Sequence, residues 1–541
     1  MTRGEQMKIL IKVASRIITA LLSVAISFLG VIGVQVNREW PTSESVENNI
    51  NTGKTVVDED ARYQTMTGFG ASACWWGKDV GAWDNAEDVI ALLYDDEKGI
   101  GLNIYRYNLG AGSEGDENMY VAYNRTETFL NPDGTLDFTK DAAAQNALAV
   151  AKKVAGDDLR VVLFANSPPV SLTKNGKAYG APAEDGVPFE SNIAPENYEA
   201  YADYLYACAE YFLNDGYRVV DVSAVNEPQY AWRAWYNADG SFSCNQEGCH
   251  YEPQEVLDLL KVLVEKFKCS DVDKQGCKVS MFESGEIQGK WTVPSGYIDL
   301  LLGVNKDDYF YNRSLRKYFD TITTHAYWSS TETKQQAAEY LNAEYPNYNI
   351  ACTEYCQMLN DWNTGVHDYF EQNGATNGLT IDFGIAMANI IMDDLTILNA
   401  VEWNWWTGCS YGVYTDGLVY LDHNDKTNLT TAKRLWCLGN FSKFIEEGAV
   451  RIACSSGNDN LRSVAFRNPD GTTAIVYIND TASAISTALP EMAENGYSVY
   501  VTDVARDLAK IEHSDAVLDV PVMSVVTVVI EVAEEKNNGI C

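Results

Sequence analysis

Between about residues 66 and 440, short runs of β-branched and aromatic residues alternate with longer stretches of helical spacing. No other feature limits the fold as tightly, because strands separated by crossover helices can pair only in parallel. The runs are MTGFGAS (66–72), LNIYRYNL (102–109), RVVLFANS (160–167), VVDVSAVN (219–226), KVSMFES (278–284), FDTITTHAY (319–327), NIACTE (349–354) and AVEWNWW (400–406). Between them, DAAAQNALAVAKKVAG (141–156) has alanine-rich helical spacing and a glycine stop, and PENYEAYADYLYACAEYFLNDG (195–216) opens on proline and closes at Gly216. Eight such units predict a closed (β/α)8 TIM barrel. The alternative, an open doubly wound sheet, lacks its glycine-rich phosphate loop after the first strand.

After about residue 445 the pattern changes to alternating strands with turn punctuation: LRSVAFRN, TTAIVYIND, GYSVYVTD and PVMSVVTVVIEV. This predicts an appended antiparallel β-sandwich side domain. The strand-like TGKTVVDED (52–60) precedes the barrel and is placed to complete that sandwich. A chain of 541 residues has ample core for both units. The expected partition is 1–38 as export segment, 39–62 as linker and sandwich strand, 63–444 as catalytic barrel and 445–535 as sandwich.

Arg3, Lys8, Lys12 and Arg16 precede an uncharged apolar stretch from Ile17 to Val36, the pattern of an export signal. The stretch is long for a cleaved peptide and shows no clear Ala-x-Ala site, so a signal peptide and a retained N-terminal membrane anchor both stay open. Either places the protein outside the cell or on its surface. Twelve cysteines in an exported chain allow up to six bridges, and local ones are expected between Cys244 and Cys249 and between Cys269 and Cys277. A zinc site at Cys244, Cys249 and His250 lacks the second half such sites need. No metal or organic cofactor is signalled. The net charge of −36 repels phosphate backbones and excludes nucleic acid as a partner.

In barrels of this type the reacting groups gather at the C-terminal ends of the strands. Here those ends carry Arg106 and Asn108, Asn166, Asn226 and Glu227, Glu283, His325 and Tyr327, Glu354, then Trp403, Trp405 and Trp406. So many polar groups would be costly to bury unpartnered, which points to a cleft for a polar ligand. With 13 Trp and 32 Tyr, and the pairs Trp75–Trp76 and Trp405–Trp406 beside strand ends, the rim suits sugar rings, which have apolar faces and polar edges. Five acids compete for chemistry: Glu227, Glu283, Glu286, Glu354 and Glu402. Glu402 falls early in its strand and suits a hydrogen bond within the barrel, while Glu283 and Glu286 suit a structural salt bridge. Glu227 ends the fourth strand, with Pro228 fixing the chain behind it. Glu354 ends the seventh, flanked by Thr353 and Tyr355, which are able to orient it. These two should face each other across the mouth, and cleaving a glycosidic bond needs two such carboxyls. His325 reads as a hydrogen-bonding wall rather than a base.

The segments GFGASACWWG (68–77), NIYRYNLGAGS (103–113), NSPPVSLTKNGKAYG (166–180), VNEPQYAW (225–232), THAYWS (324–329), TEYCQM (353–358) and WNWWTG (403–408) together resemble glycoside hydrolase family 30, most closely its endo-β-1,6-galactanase-like branch. The resemblance covers nearly all of the chain after residue 50 and implies a barrel joined to a sandwich built from both chain ends. It further implies a retaining hydrolase of β-linked polysaccharide or oligosaccharide, with Glu227 as general acid/base, Glu354 as nucleophile, Asn226 near the sugar 2-hydroxyl and Arg106 near the nucleophile. Burial beside a second carboxylate would then raise the acid, Arg106 would keep Glu354 ionised, and the carboxyls should lie about 5–5.5 Å apart. Trp75, Trp76, Asn166, Tyr230, His325, Tyr327, Trp328 and Trp403 complete the expected substrate-binding set. Other specificities on the same barrel, a glucuronoxylanase or a glucosylceramidase-like enzyme, and a non-catalytic carbohydrate-binding protein remain as alternatives.

Overall fold

The structure, a computed structural model, describes residues 52–183, 186–287, 296–303, 313–358, 378–412 and 414–532. The apolar stretch from Ile17 to Val36 lies outside them. Among the described residues no helix is long and apolar enough to cross a membrane.

In chain order the first strands are β1 (Val56–Thr65), β2 (Gly68–Ser72), β3 (Ile104–Asn108), β4 (Arg160–Phe164), β5 (Arg218–Ser223), the short pair β6 (Trp235–Tyr236) and β7 (Phe242–Ser243), β8 (Lys278–Val279), β9 (Thr321–His325), β10 (Asn349–Glu354) and β11 (Ala400–Trp405). Eight of them, β2 to β5 and β8 to β11, form one parallel sheet in the order β8-β5-β4-β3-β2-β11-β10-β9. The pairing of β2 with β11, first strand with last, separates this closed architecture from an open doubly wound sheet. On the opposite side the short β8 runs on to Ser284, which bridges Thr324 of β9 and completes the ring. All eight expected strands are present, and the helices Ala142–Ala155 and Tyr198–Asn214 fall within the expected helical stretches.

Alternation along the strands sorts side chains between the inside of the barrel and its helical jacket. On β3, Tyr105 and Tyr107 point outward, onto Trp76 and Phe212 respectively, while Arg106 between them points inward. On β11, Glu402 and Asn404 point inward and bond each other, Asn404 Nδ2 donating to Glu402 Oε1 at 2.7 Å. Each fully buried aliphatic residue on the jacket side, such as Val161 and Leu163 of β4, adds roughly 1.5–3 kcal/mol. Inside, a cavity of about 250 Å³ remains at the N-terminal end, lined by Thr67, Asp221, Ser280, Glu283 and Glu402 among others.

Three further short strands, β12 (Thr407–Tyr411), β13 (Gly417–Leu421) and β14 (Thr430–Thr431), form a small sheet that the sequence reading did not anticipate. Next come β15 (Val450–Ser455), β16 (Arg462–Arg467), β17 (Thr473–Asn479), β18 (Ile485–Ala488), β19 (Tyr497–Thr502), β20 (Ala509–Ile511), β21 (Val517–Val520) and β22 (Ser524–Ile530). The larger sheet runs β1-β15-β16-β17-β22-β19-β20, and β18 with β21 form the smaller one. Ile475, Tyr477, Val526 and Val528 pack on Leu518 and Val520 between the two sheets. On the other face Phe466, Val476 and Val525 join the barrel's own core. Polar locks reinforce that seam: Asn440 Nδ2 donates to Thr527 Oγ1 at 3.0 Å, and Gln64 Nε2 donates to the Leu395 carbonyl at 2.7 Å.

The expected local bridges do not form. All eleven described cysteines are free thiols. Cys244 Sγ instead donates to the Gln246 carbonyl at 3.0 Å, and Cys277 is buried while Cys269 faces solvent. A disulfide needs side chains aimed at each other, and closeness in sequence does not supply that.

Candidate active site

Two local departures from regular strand geometry bring the acids into the barrel mouth. Asn226 and Glu227 are neighbours in sequence, yet both side chains face inward; Glu227 has φ of 46°, the left-handed region that non-glycine residues seldom adopt. Three backbone bonds hold it there: its N–H donates to Glu283 O at 2.7 Å, and its carbonyl accepts from Trp232 Nε1 at 2.9 Å and Tyr230 N at 3.2 Å. On β10 a register shift against β9 falls between Cys352 and Glu354. Such a bulge re-aims side chains, and here Thr353 and Glu354 both reach the interior.

The result is a cluster of three carboxyl groups and two cations. Arg106 Nη1 donates to Glu354 Oε2 at 2.6 Å, and its Nη2 to Glu283 Oε2 at 2.9 Å and Asn226 Oδ1 at 3.3 Å. Its guanidinium carbon lies 3.6 Å from the centre of the Phe164 ring. His325 stands between two acids, with Nδ1 2.9 Å from Glu227 Oε1 and Nε2 3.1 Å from Glu283 Oε2; Nδ1 is also 3.5 Å from Glu354 Oε1. Tyr327 donates its hydroxyl to Glu354 Oε1 at 2.9 Å. Arg106, Glu283 and His325 are at most 1% exposed, whereas Glu227 and Glu354 retain 6% and 5%. Of the three carboxyls, then, these two are the ones a ligand could reach.

Burial works against a charge on His325, but Glu354, Glu227 and Glu283 together lift the imidazole to about 10. Burial likewise opposes a charge on Glu283, yet Arg106 and then His325 hold that carboxyl down at about 2. Burial pushes Glu354 above the ordinary range, with His325 and Arg106 pulling it back and Glu227 and Glu283 adding to the rise. A buried cluster is cheapest when neutral. With three carboxyls facing Arg106 and His325, one acid is in excess of the cations. Glu227, His325 and Glu354 offer possible ligand atoms within 4.8 Å of one another, but the Arg106 guanidinium already occupies one oxygen of Glu354 at 2.6 Å and would repel a second cation there.

Around this cluster the expected binding residues separate into those that reach the mouth and those that do not. Asn166 accepts from Asn226 Nδ2 at 3.1 Å. Tyr230 lies against Trp232 and Trp328, and burial followed by the charge of Glu227 raises its phenol well above the ordinary range. Trp75 packs edge-on to Trp406 at 5.5 Å and Tyr123 at 6.1 Å, and its indole N–H has no partner among the described residues. Two expectations are corrected. Trp76 is fully buried, donates to the Ser72 carbonyl at 2.9 Å and packs on Tyr105 outside the barrel wall. Trp403 alternates with the inward Glu402, so it points into the helical jacket and donates to Asp394 Oδ2 at 2.9 Å.

The sequence reading also undervalued two residues. Glu283 does form the salt bridge expected of it, but inside the reactive cluster. Thr353 orients that acid, donating to Glu283 Oε2 at 2.7 Å, rather than Glu354. An acid ending the fifth strand of an eight-strand count was the available signal for Glu283; nothing in sequence showed the bulge that turns Thr353.

Comparison with known proteins identifies the family and the fold. A model of the O-Glycosyl hydrolase family 30 matches residues 52–420, and one of the Glycosyl hydrolase family 30 beta sandwich domain matches residues 448–528. An endo-β-1,6-galactanase of Hypocrea rufa is 22% identical over 445 residues, 78% of each protein. Among solved structures, a conserved exported protein from Bacteroides fragilis superposes with a TM-score of 0.75 at 23% identity, over 88% of this chain and 100% of that one. The catalytic domain of the family 30 xylanase C from Talaromyces cellulolyticus gives 0.61 at 20% identity, over 88% and 100%. At these identities the solved structures bear on the fold alone.

Proposed function

The chain belongs to glycoside hydrolase family 30, and on that premise we propose that it cleaves a β-linked polysaccharide with retention of configuration, as an endo-β-1,6-galactanase-like enzyme in which Glu227 is the acid/base and Glu354 the nucleophile. The observation that carries this reading is the approach of the two acids, which offer oxygens within 4.8 Å of each other and of one His325 nitrogen. Retaining pairs stand about 5–5.5 Å apart, and inverting pairs leave roughly 6.5–9.5 Å for a water molecule.

The roles follow from the contacts. Arg106 and Tyr327 donate to the two oxygens of Glu354, and donors to a carboxylate favour its charged form. On this reading Glu354 acts as the carboxylate, against the upward push of its burial, and Glu227 as the proton donor. One oxygen of Glu227 faces His325; the other is left to protonate the departing sugar oxygen. Attack by Glu354 on the anomeric carbon breaks the glycosidic bond and forms a glycosyl ester. Glu227, now ionised, removes a proton from water, whose oxygen displaces the ester and restores both acids. Asn226, fixed between Arg106 and Asn166, is placed to meet the sugar 2-hydroxyl.

The galactanase-like specificity rests on the motif resemblance and on the curated relative. Export, expected from the N-terminal apolar stretch, suits a polymeric substrate. The test is proton NMR of the first product formed from β-1,6-galactan, with xylan and β-glucans run alongside. Initial release of the β-anomer from galactan is expected; initial release of the α-anomer would replace retention by inversion, and cleavage of xylan or glucan alone would move the specificity elsewhere in the family.

A further inference from the structure

Five large aromatic side chains are exposed among the described residues: Tyr120, Phe189, Trp235, Tyr236 and Tyr414. Four of these belong to, or pack on, the single loop that leads from Glu227 to the helix Pro253–Phe267. Trp235 and Tyr236 form β6, the outer strand of the hairpin with β7, and are 44% and 55% exposed. Neighbouring residues of a strand point to opposite faces, so both faces of the hairpin present an aromatic ring to solvent. Tyr120, from the loop after β3, meets Trp235 edge-on at 6.0 Å and is itself 60% exposed. Phe189 packs on His250 at the loop's far end.

These rings stand largely in solvent, yet their base is held by backbone bonds. Gly180 N donates to Trp232 O at 2.8 Å and Ala234 N to Gly180 O at 3.0 Å, while Cys244 N donates to Asn118 O at 2.8 Å. The Trp232 ring lies so close to Gly248 that a Cβ there would stand 2.5 Å from it. Glu247, fully buried, accepts from Ser113 Oγ at 2.6 Å, Thr126 Oγ1 at 2.7 Å and Ala111 N at 3.1 Å. A buried carboxylate spent on anchoring a loop is an expensive way to hold exposed aromatics unless they have a ligand.

We propose that Tyr120 and Trp235 form a remote platform on which a sugar ring of a neutral β-linked polysaccharide rests, away from the bond that is cut. Flat aromatic faces match the C–H faces of sugar rings. The net charge of −36 disfavours polyanions. Eight residues separate Glu227 from Trp235, so the chain allows at most about 28 Å between them. A polymer can span any separation within that limit, whereas a single sugar held at the cleavage point extends least toward the platform. The proposal rests on the functional reading above and adds to it that the enzyme grips chains rather than short fragments.

The test compares Trp235→Ala, Trp235→Phe and Tyr120→Ala with the wild type on β-1,6-galactan and on an aryl β-galactoside, with Val504→Ser on the sandwich as surface control. Loss of kcat/KM on the polymer should exceed loss on the aryl glycoside about five- to tenfold for Trp235→Ala, a contact worth about 1–1.4 kcal/mol. Trp235→Phe should recover most of that, and in the Glu354→Gln background Trp235→Ala should migrate faster through a galactan-containing native gel. Equal losses on both substrates, unchanged polymer kinetics, or a change in oligomeric state in place of polymer affinity would overturn the platform. Should the wild type cleave none of galactan, xylan and β-glucan, the functional reading fails instead. The platform is then decided by whether those gels retard the wild type more than Trp235→Ala.

Discussion

Two clusters of buried charge lie on either side of the barrel wall, and they are built to different rules. On the outside, Lys334 and Asp394 pair at 2.7 Å, both almost fully buried, with the Trp403 indole on the second oxygen of Asp394. That cluster is balanced, one cation to one anion, and has nothing left to exchange. On the inside, Arg106 and His325 face Glu227, Glu283 and Glu354, and one acid exceeds the cations. The balanced pair can only hold structure together. The unbalanced cluster has one acid in excess, the arrangement that the proposed acid/base chemistry would use. A buried ion pair is thus weak evidence of function until its charges are counted.

Replacing either reactive acid probes the contrast hardest. Glu354→Gln should lower kcat by about 10⁴-fold or more, and Glu227→Gln by about 10²–10⁴-fold. Steady-state rates that stayed within tenfold for both would remove the inner cluster from the chemistry. Next in size, Lys334→Met leaves Asp394 buried and unpaired and should cost about 3 kcal/mol of stability. Denaturant melts would report that loss while kcat at 25 °C stays within about twofold. A kcat that collapsed in folded protein would erase the distinction between the two sides.

Glu283→Gln brings the inner cluster into balance by subtraction: two cations then face two acids, and the proposed proton donor loses a negative neighbour. The alkaline limb of the pH dependence of kcat/KM should move down by about one unit, with roughly tenfold less activity at neutral pH. A profile that kept its shape and only dropped in height would make Glu283 structural, like Asp394.

The smallest effect is on stability. His325 has its folded value raised to about 10 from an ordinary value near 6.5, so its pairing is fully present below about 6.5 and is lost as pH rises through 10. Glu283, depressed to about 2, contributes above its ordinary value near 4.3 and loses that contribution as pH falls through 2. Thermal melts should therefore weaken between about pH 6.5 and 10 in the wild type and be flatter there in His325→Gln. Parallel curves would remove His325 from the balance.

Much of this was legible in the sequence because strands and helices declare themselves through period and composition. RVVLF of β4 and NIACTE of β10 read as strands from their β-branched content, and counting strands placed Glu227 and Glu354 at the same end of the barrel. What remained hidden depends on single-residue geometry. Trp403 looked like a rim residue until the inward Glu402 fixed its parity. Thr353 was assigned to Glu354 because a bulge shifts register without leaving a mark in composition. Glu283 looked like an ordinary salt-bridge acid because its partners, Arg106 and His325, lie 177 and 42 residues away in the chain. The cysteine pairs failed for the same reason: separation along the chain says nothing about where side chains aim.

Everything above depends on Glu354 attacking the sugar while Glu227 lends the proton. Incubation with a 2-deoxy-2-fluoro glycoside of the cleaved sugar bearing a good leaving group, followed by peptide mass mapping, tests this directly. A fluoroglycosyl adduct on the peptide that contains Glu354, absent in Glu354→Gln, is the expected result. An adduct on the peptide that contains Glu227, or turnover with inverted product and no adduct anywhere, would contradict it.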